Sequence, residues 1–137
     1  MTPETALLAA TAVHFGFQTT VTALVYPALN QVPAHQWATA HRVHSRAITP
    51  IVAVVYGTLA LAGWWALLSE PDTWTLISLA AIAVTVLLTA TAAAPAHGHL
   101  AAGHDQQRLR RLLRVDRGRA AAATLAFLAA ALAIRPF

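Results

Sequence analysis

Three histidines (His35, His41, His44), two arginines (Arg42, Arg46) and Trp37 fall within Pro33 to Pro50, PAHQWATAHRVHSRAITP. Imidazole changes charge near neutral pH, so it serves as a proton carrier or a metal ligand. Guanidinium stabilises a developing anion. Read as a helix, the stretch sets His41 and His44 at i, i+3 and His41 and Ser45 at i, i+4, all on one face. Arg42 and Arg46 share a neighbouring face. A second cluster, His97-Gly98-His99 with His104, lies far along the chain. A His beside an Arg can remove a proton while the Arg holds the resulting enolate. Alternatively, His41, His44, His97 and His99 could meet at one metal, with His97 and His99 offered from extended chain. Imidazole suits iron and copper as well as zinc and nickel. The expectation is therefore iron, copper or no metal at all.

A third group lies inside an apolar run. Thr11, His14, Gln18, Thr22 and Tyr26 recur at steps of three and four and so fall on one helix face. At 1.5 Å per residue His14 sits roughly 13 Å into the run, near a bilayer's midplane. Such a stripe is expected to face a bundle interior, as interhelical hydrogen-bonding or as a pocket lining. The opposite face, assigned to Leu7, Val21 and Val25, is expected to meet lipid.

These groups need elements to carry them, and composition says which. The chain has 137 residues, 58% hydrophobic and 10% charged, against about 25% charged in soluble domains. Mean hydropathy is +0.58, held down by many Ala and Thr. A membrane protein of one domain is expected. With no Cys, thiolate nucleophiles, disulfide exchange and Cys-ligated zinc are excluded. All nine basic residues are Arg, and they flank apolar runs. They therefore read as orienting charges, and nucleic acid is not an expected partner despite a pI near 11.2. MTPETALLAA lacks a basic n-region, so no cleaved leader is expected.

Four apolar runs, about 5–29, 48–68, 74–94 and 119–134, approach the roughly 20 residues that span a bilayer. The last is Ala-rich and short, and DQQRLRRLLRVDRGR before it could extend it. Pro27, Asn30 and Pro33 are expected to break the first helix, and Pro95 to end the third. Ser69 to Asp72 reads as a tight turn, with Asp72 or Thr73 as N-cap. The short connections predict an all-α, integral membrane, up-down four-helix bundle. Arginines concentrate in connections 30–47 and 95–118, against Glu4, Glu70, Asp72 and Arg135 on the other side. The positive-inside rule puts those connections in the cytoplasm and both termini outside, with a bacterial inner membrane as the expected setting. Trp64, Trp65 and Trp74 read as interfacial anchors. Trp37 could anchor too, or stack on a planar ligand. Arg108, Arg110, Arg111 and Arg114 are expected at lipid phosphates, with Leu109, Leu112 and Leu113 on the opposite face. An Asp116–Arg119 pair is expected where the last run begins.

Two local patterns carry a resemblance. Ala94-Pro95-Ala96-His97 closes the third run, and Asp116-Arg117-Gly118-Arg119 opens the fourth. With its four-span layout, the chain resembles the small membrane proteins that include the anthrone oxygenases of polyketide pathways. That family commonly shows Val-Pro with a following Asn at the first place and Asn-Trp-x-Arg at the second. Here His97 stands for the Asn, and Asp116 for the other Asn. The resemblance implies oxidation by molecular oxygen of a lipophilic, aromatic polyketide-like small molecule. The expected catalytic residues are His14, His41, His44, Arg46, His97 and Arg119. The expected substrate contacts are Gln18, Thr22, Tyr26, Trp37 and Asp116. A non-redox membrane cyclase or isomerase would use the same residues. A non-catalytic metal- or haem-binding subunit or a small transporter is the third alternative. Membrane lipid is an expected partner, and a homo-oligomer stays open.

Overall fold

In a computed structural model, residues 1–134 are described, and Arg135 lies outside them. Four long helical rods follow one another: α1, Pro3–Asn30; α2, Trp37–Leu67, led in by a 3-10 turn at Ala34–Gln36; α3, Thr73–Ala101; and α4, Gln106–Ala133. No strand occurs among the described residues. α1, α3 and the segment from Ala34 to Leu67 are each long and apolar enough to cross a membrane.

The fold corrects the expected boundaries. α2 is continuous from Trp37, so His41, Arg42, His44 and Arg46 ride on the same rod as the apolar run behind them. Pro50 sits inside it. Pro27 and Pro95 do not stop their helices either. Each follows a π-turn, Val21–Val25 in α1 and Thr89–Ala93 in α3, in which the next amide reaches back five residues: Tyr26 N–H to Val21 O and Ala94 N–H to Thr89 O. Proline has no N–H and crowds the carbonyl four residues back. A wider turn accommodates both problems, so the helix passes through. His97 and His99 are consequently helical, not extended. Residues 106–133 form one helix, so the Arg-rich segment does complete the Ala-rich run.

The packing makes two layers. At one end, Leu7 of α1, Leu59 and Ala66 of α2, Ala81 and Ile82 of α3, and Ala126 and Ala130 of α4 form a buried cluster. At the Arg-rich end, Val21, Tyr26 and Leu29 pack with Trp37, Ala93, Leu100, Leu109 and Leu112. Early α1 meeting late α2, and late α1 meeting early α2, is the antiparallel pattern. α4 fits between α1 and α3 because its inward face is alanine, which lets backbones approach closely. Ser78 Oγ adds a buried bond to the Ala126 carbonyl at 2.9 Å. α2 packs closely on α1 and much less on α3.

The face assigned to lipid in α1 needs correcting. Leu7 and Val21 are buried, while Val13 and Leu24 are 58% and 66% exposed. Leu7 lies one turn before Thr11, and Val21 three residues after Gln18, so both belong to the polar stripe's own face. Trp64 and Trp65 are exposed.

Asp72 caps α3: its Oδ1 accepts from the Thr75 amide at 2.7 Å. Hydrogen bonds from the Thr75 side chain and amide hold the Asp72 carboxyl below its usual value. The stabilisation is therefore present above the unfolded carboxylate value and lost as pH falls through the lower folded one. Asp72→Ala is expected to cost about 1 kcal/mol at neutral pH. Thermal unfolding in detergent at pH 7 and at acid pH checks this, the difference from wild type shrinking at acid pH.

Candidate functional site

The two histidine clusters meet. His97 on α3 lies against both α2 histidines, with ring centroids 5.7 Å from His41 and 6.1 Å from His44. Its Nδ1 is 3.4 Å from His41 Nε2, and its Nε2 is 2.9 Å from the Tyr26 hydroxyl. Tyr26, His97 and His41 thus form a chain of exchangeable protons from α1 through α3 to α2. When the Tyr26 O–H donates to Nε2, the Nδ1–H of a neutral His97 donates to His41. The π-turns bring this about, because Tyr26 and Ala94 each follow one directly.

Asp116 and Arg119 of α4 form the second half of the site. The Asp116 carboxylate accepts from Gln18 Nε2 at 2.7 Å, from the Thr22 hydroxyl, and from Arg119 Nη1 at 3.2 Å. Every partner is a donor, which fits an ionised carboxylate. Arg119 Nη2 donates to the Tyr56 hydroxyl at 3.1 Å, and that hydroxyl is 2.9 Å from Thr89 Oγ1. Asp116 and Arg119 are 1% and 5% exposed. Charges buried this deeply persist only when paired and hydrogen-bonded.

A cavity of about 260 Å³ opens beside these groups. It is lined by all four helices: Phe17, Val21 and Tyr26 from α1; His44, Ser45, Ile48, Thr49 and Val52 from α2; Thr89, Ala93, Ala94 and His97 from α3; Arg119 from α4. Most of its exposed wall is apolar, and polar groups of Tyr26, His44, Ser45, Thr49, Thr89, His97 and Arg119 reach it, as in many small-molecule sites. Arg119 Nε and His44 Nε2 are both buried without a hydrogen-bond partner among the described residues. A buried polar atom left unpaired costs about 1–3 kcal/mol, so both atoms call for a ligand or solvent partner.

The expected site residues separate into shells. Tyr26, His44, His97 and Arg119 line the cavity. Gln18, Thr22 and Asp116 stand behind Arg119 and fix it. Trp37 is buried beneath His41, ring centroids 5.4 Å apart, and its Nε1 donates to the Leu100 carbonyl at 2.8 Å. It anchors α2 to α3 and does not reach the cavity. Arg46 is exposed and lines a separate groove of about 480 Å³ with His41, Arg42 and Gly98. The guanidinium at the cavity is that of Arg119. His14 is wholly buried, edge-on to Tyr56 with centroids 5.3 Å apart, and both its ring nitrogens lack partners among the described residues. It lies outside the cavity wall.

The four-histidine metal set does not form. His99 faces another surface, beside Arg108 and Arg111. Both nitrogens of His97 already meet neighbours. Among the described residues no group of three or more His, Asp or Glu side chains is arranged to hold an ion. These residues therefore do not fit iron or copper as placed.

Two further side chains, Tyr56 and Thr89, complete the site. Tyr56 orients Arg119, and Thr89 steadies Tyr56. The available signal was a tyrosine in mid-run, whose hydroxyl needs a partner away from water. No protein-family model, curated protein or solved structure matches the chain.

Proposed function

We propose that this chain is a membrane-embedded enzyme that deprotonates a lipophilic carbon acid and passes the carbanion to molecular oxygen. The reading is supported by one observation above others: Arg119 Nε and His44 Nε2 are both buried, both without a hydrogen-bond partner among the described residues, and on residues that line one largely apolar cavity. A substrate carbonyl accepts from Arg119, and neutral His44 takes the proton from the adjacent carbon. Arg119 stabilises the enolate as charge develops, an effect strengthened by exclusion of water. The carbanion and oxygen then give a peroxide anion on the former methylene, and the proton held by His44 converts it to the hydroperoxide. Loss of water leaves a carbonyl, so CH2 and O2 become C=O and H2O. The chain Tyr26–His97–His41 offers a path for protons between the cavity and the outer groove.

The Arg-rich end is proposed to face the cytoplasm, as the positive-inside rule prefers. α4 crosses with the other three helices, its alanine half held between α1 and α3.

The test is oxygen uptake by protein in lipid nanodiscs supplied with anthrone as a model carbon acid. Uptake matching product quinone one to one supports the reading. A second reading, enolisation without oxidation, uses the same acid and base, since Tyr26 and His97 form a ready proton-transfer pair at 2.9 Å. Exchange of the anthrone methylene protons with deuterated water under strict anaerobiosis, without oxygen uptake in air, favours that second reading. Neither activity with anthrone or related ketones overturns both.

A further inference from the structure

We infer that the ligand is an amphiphile with an acidic or enolisable head, and that it enters from the lipid side through a gap between α2 and α3. The inference rests on the proposed membrane setting and deepens the same site. α2 and α3 make the loosest of the neighbouring contacts in the bundle. They are pinned at four levels, the last of them the Trp37–Leu100 bond described above. Gly63 approaches Leu79 so closely that an added Cβ would stand 3.2 Å from Cδ2. The Tyr56 hydroxyl meets Thr89 Oγ1 at 2.9 Å. At the Arg-rich end His41 meets His97 at 3.4 Å.

Between the second and third pins the cavity wall is formed by His44, Ser45, Ile48, Thr49 and Val52 on one side and Ala93 and Ala94 on the other. Thr49 and Ala94 are exposed and yet line the cavity. The cavity therefore reaches the outer surface of the bundle at that rim. Among the described residues no charged side chain lines the cavity at that rim, whereas Arg119, His44, His97 and Tyr26 stand deeper. A ligand that seats an oxygen at Arg119 must lay its remaining bulk along apolar walls towards the rim. The groove beside Arg42 and Arg46 is the competing entrance, and it adjoins the cavity, since Ser45 and His97 line both.

The probe is anthracene-9-carboxylate, a fluorescent lipophilic acid without a reactive methylene. Binding to protein in nanodiscs is followed by energy transfer from tryptophan in a stopped-flow instrument. Wild type is expected to bind, Ala94→Trp to slow association by about tenfold or more, and Gly98→Trp, which has open space at its Cβ, to leave it unchanged. Thr49→Leu narrows the opposite rim with a smaller change and should slow association in the same direction, even if Ala94→Trp does not fold. Slowing by Gly98→Trp, alone or equally with Ala94→Trp, overturns the lateral entrance. Absence of wild-type binding overturns the ligand class. Turnover is not needed for any arm, so oxygen chemistry can fail while the entrance stands.

Discussion

Asp116→Leu is expected to destabilise the protein by about 3–5 kcal/mol, because it leaves Arg119 buried without its counter-charge. The same change strands the Gln18 amide and the Thr22 hydroxyl, both of which donate to this carboxylate. Unfolding in a mixed detergent titration, followed by helical circular dichroism, measures the loss. Asp116→Asn keeps an acceptor in place and should lose less. The informative comparison is the double variant Asp116→Leu with Arg119→Leu. Replacing a whole buried ion pair with apolar residues is often neutral or stabilising, so the double variant should recover most of the stability while remaining inactive. A double variant as unstable as the single one would show that the site's hydrogen bonds, and not the stranded charge, hold α4 to α1.

His44→Ala is expected to lower kcat for carbon-acid turnover by about 10²–10⁴-fold, the usual contribution of a positioned general base. KM should change much less, since the carbonyl contact belongs to Arg119. His97→Ala is expected to show a different profile. It removes the link between Tyr26 and His41 but leaves the Nε2 of His44 in place, so turnover should fall less and become sensitive to added imidazole. Turnover of anthrone in nanodiscs, measured across pH with and without imidazole, separates the two. A larger loss in His97→Ala than in His44→Ala would instead place the base at His97.

Much of the architecture was legible because it follows from composition and period. Four apolar runs with short connections allow little besides antiparallel helices. The stripe Thr11, His14, Gln18 is inward because a polar row on an apolar rod has nowhere else to go. The meeting of the two histidine clusters could not be read, since it depends on which rods are neighbours. The helix ends at Pro27 and Pro95 were misread for a local reason. Proline forbids a standard helical hydrogen bond, and a propensity argument does not foresee that a five-residue reach-back can replace it. Arg46 was assigned to the site on proximity to His44 in sequence, but side chains two apart on a helix diverge, and Arg46 points to the outer groove instead. Arg119 was reachable through a buried Asp–Arg pair, while its partner Tyr56 carried no pattern beyond being an isolated phenol.

The two π-turns also set the angular phase of the molecule. An α-helix advances about 100° per residue, so three successive steps of four drift by about 120° around the axis. The wide turn at Val21–Val25 absorbs part of that drift, which keeps Thr22 and Tyr26 aligned with Gln18. The turn at Thr89–Ala93 does the same for His97 relative to Thr85. Each rod is thus two helical segments with independently chosen rotations. The segments towards Leu7 and Ile82 can be repacked without turning the site. Loss of one residue within 21–25 or 89–93 would instead swing Tyr26 or His97 away while leaving the far layer's contacts in register.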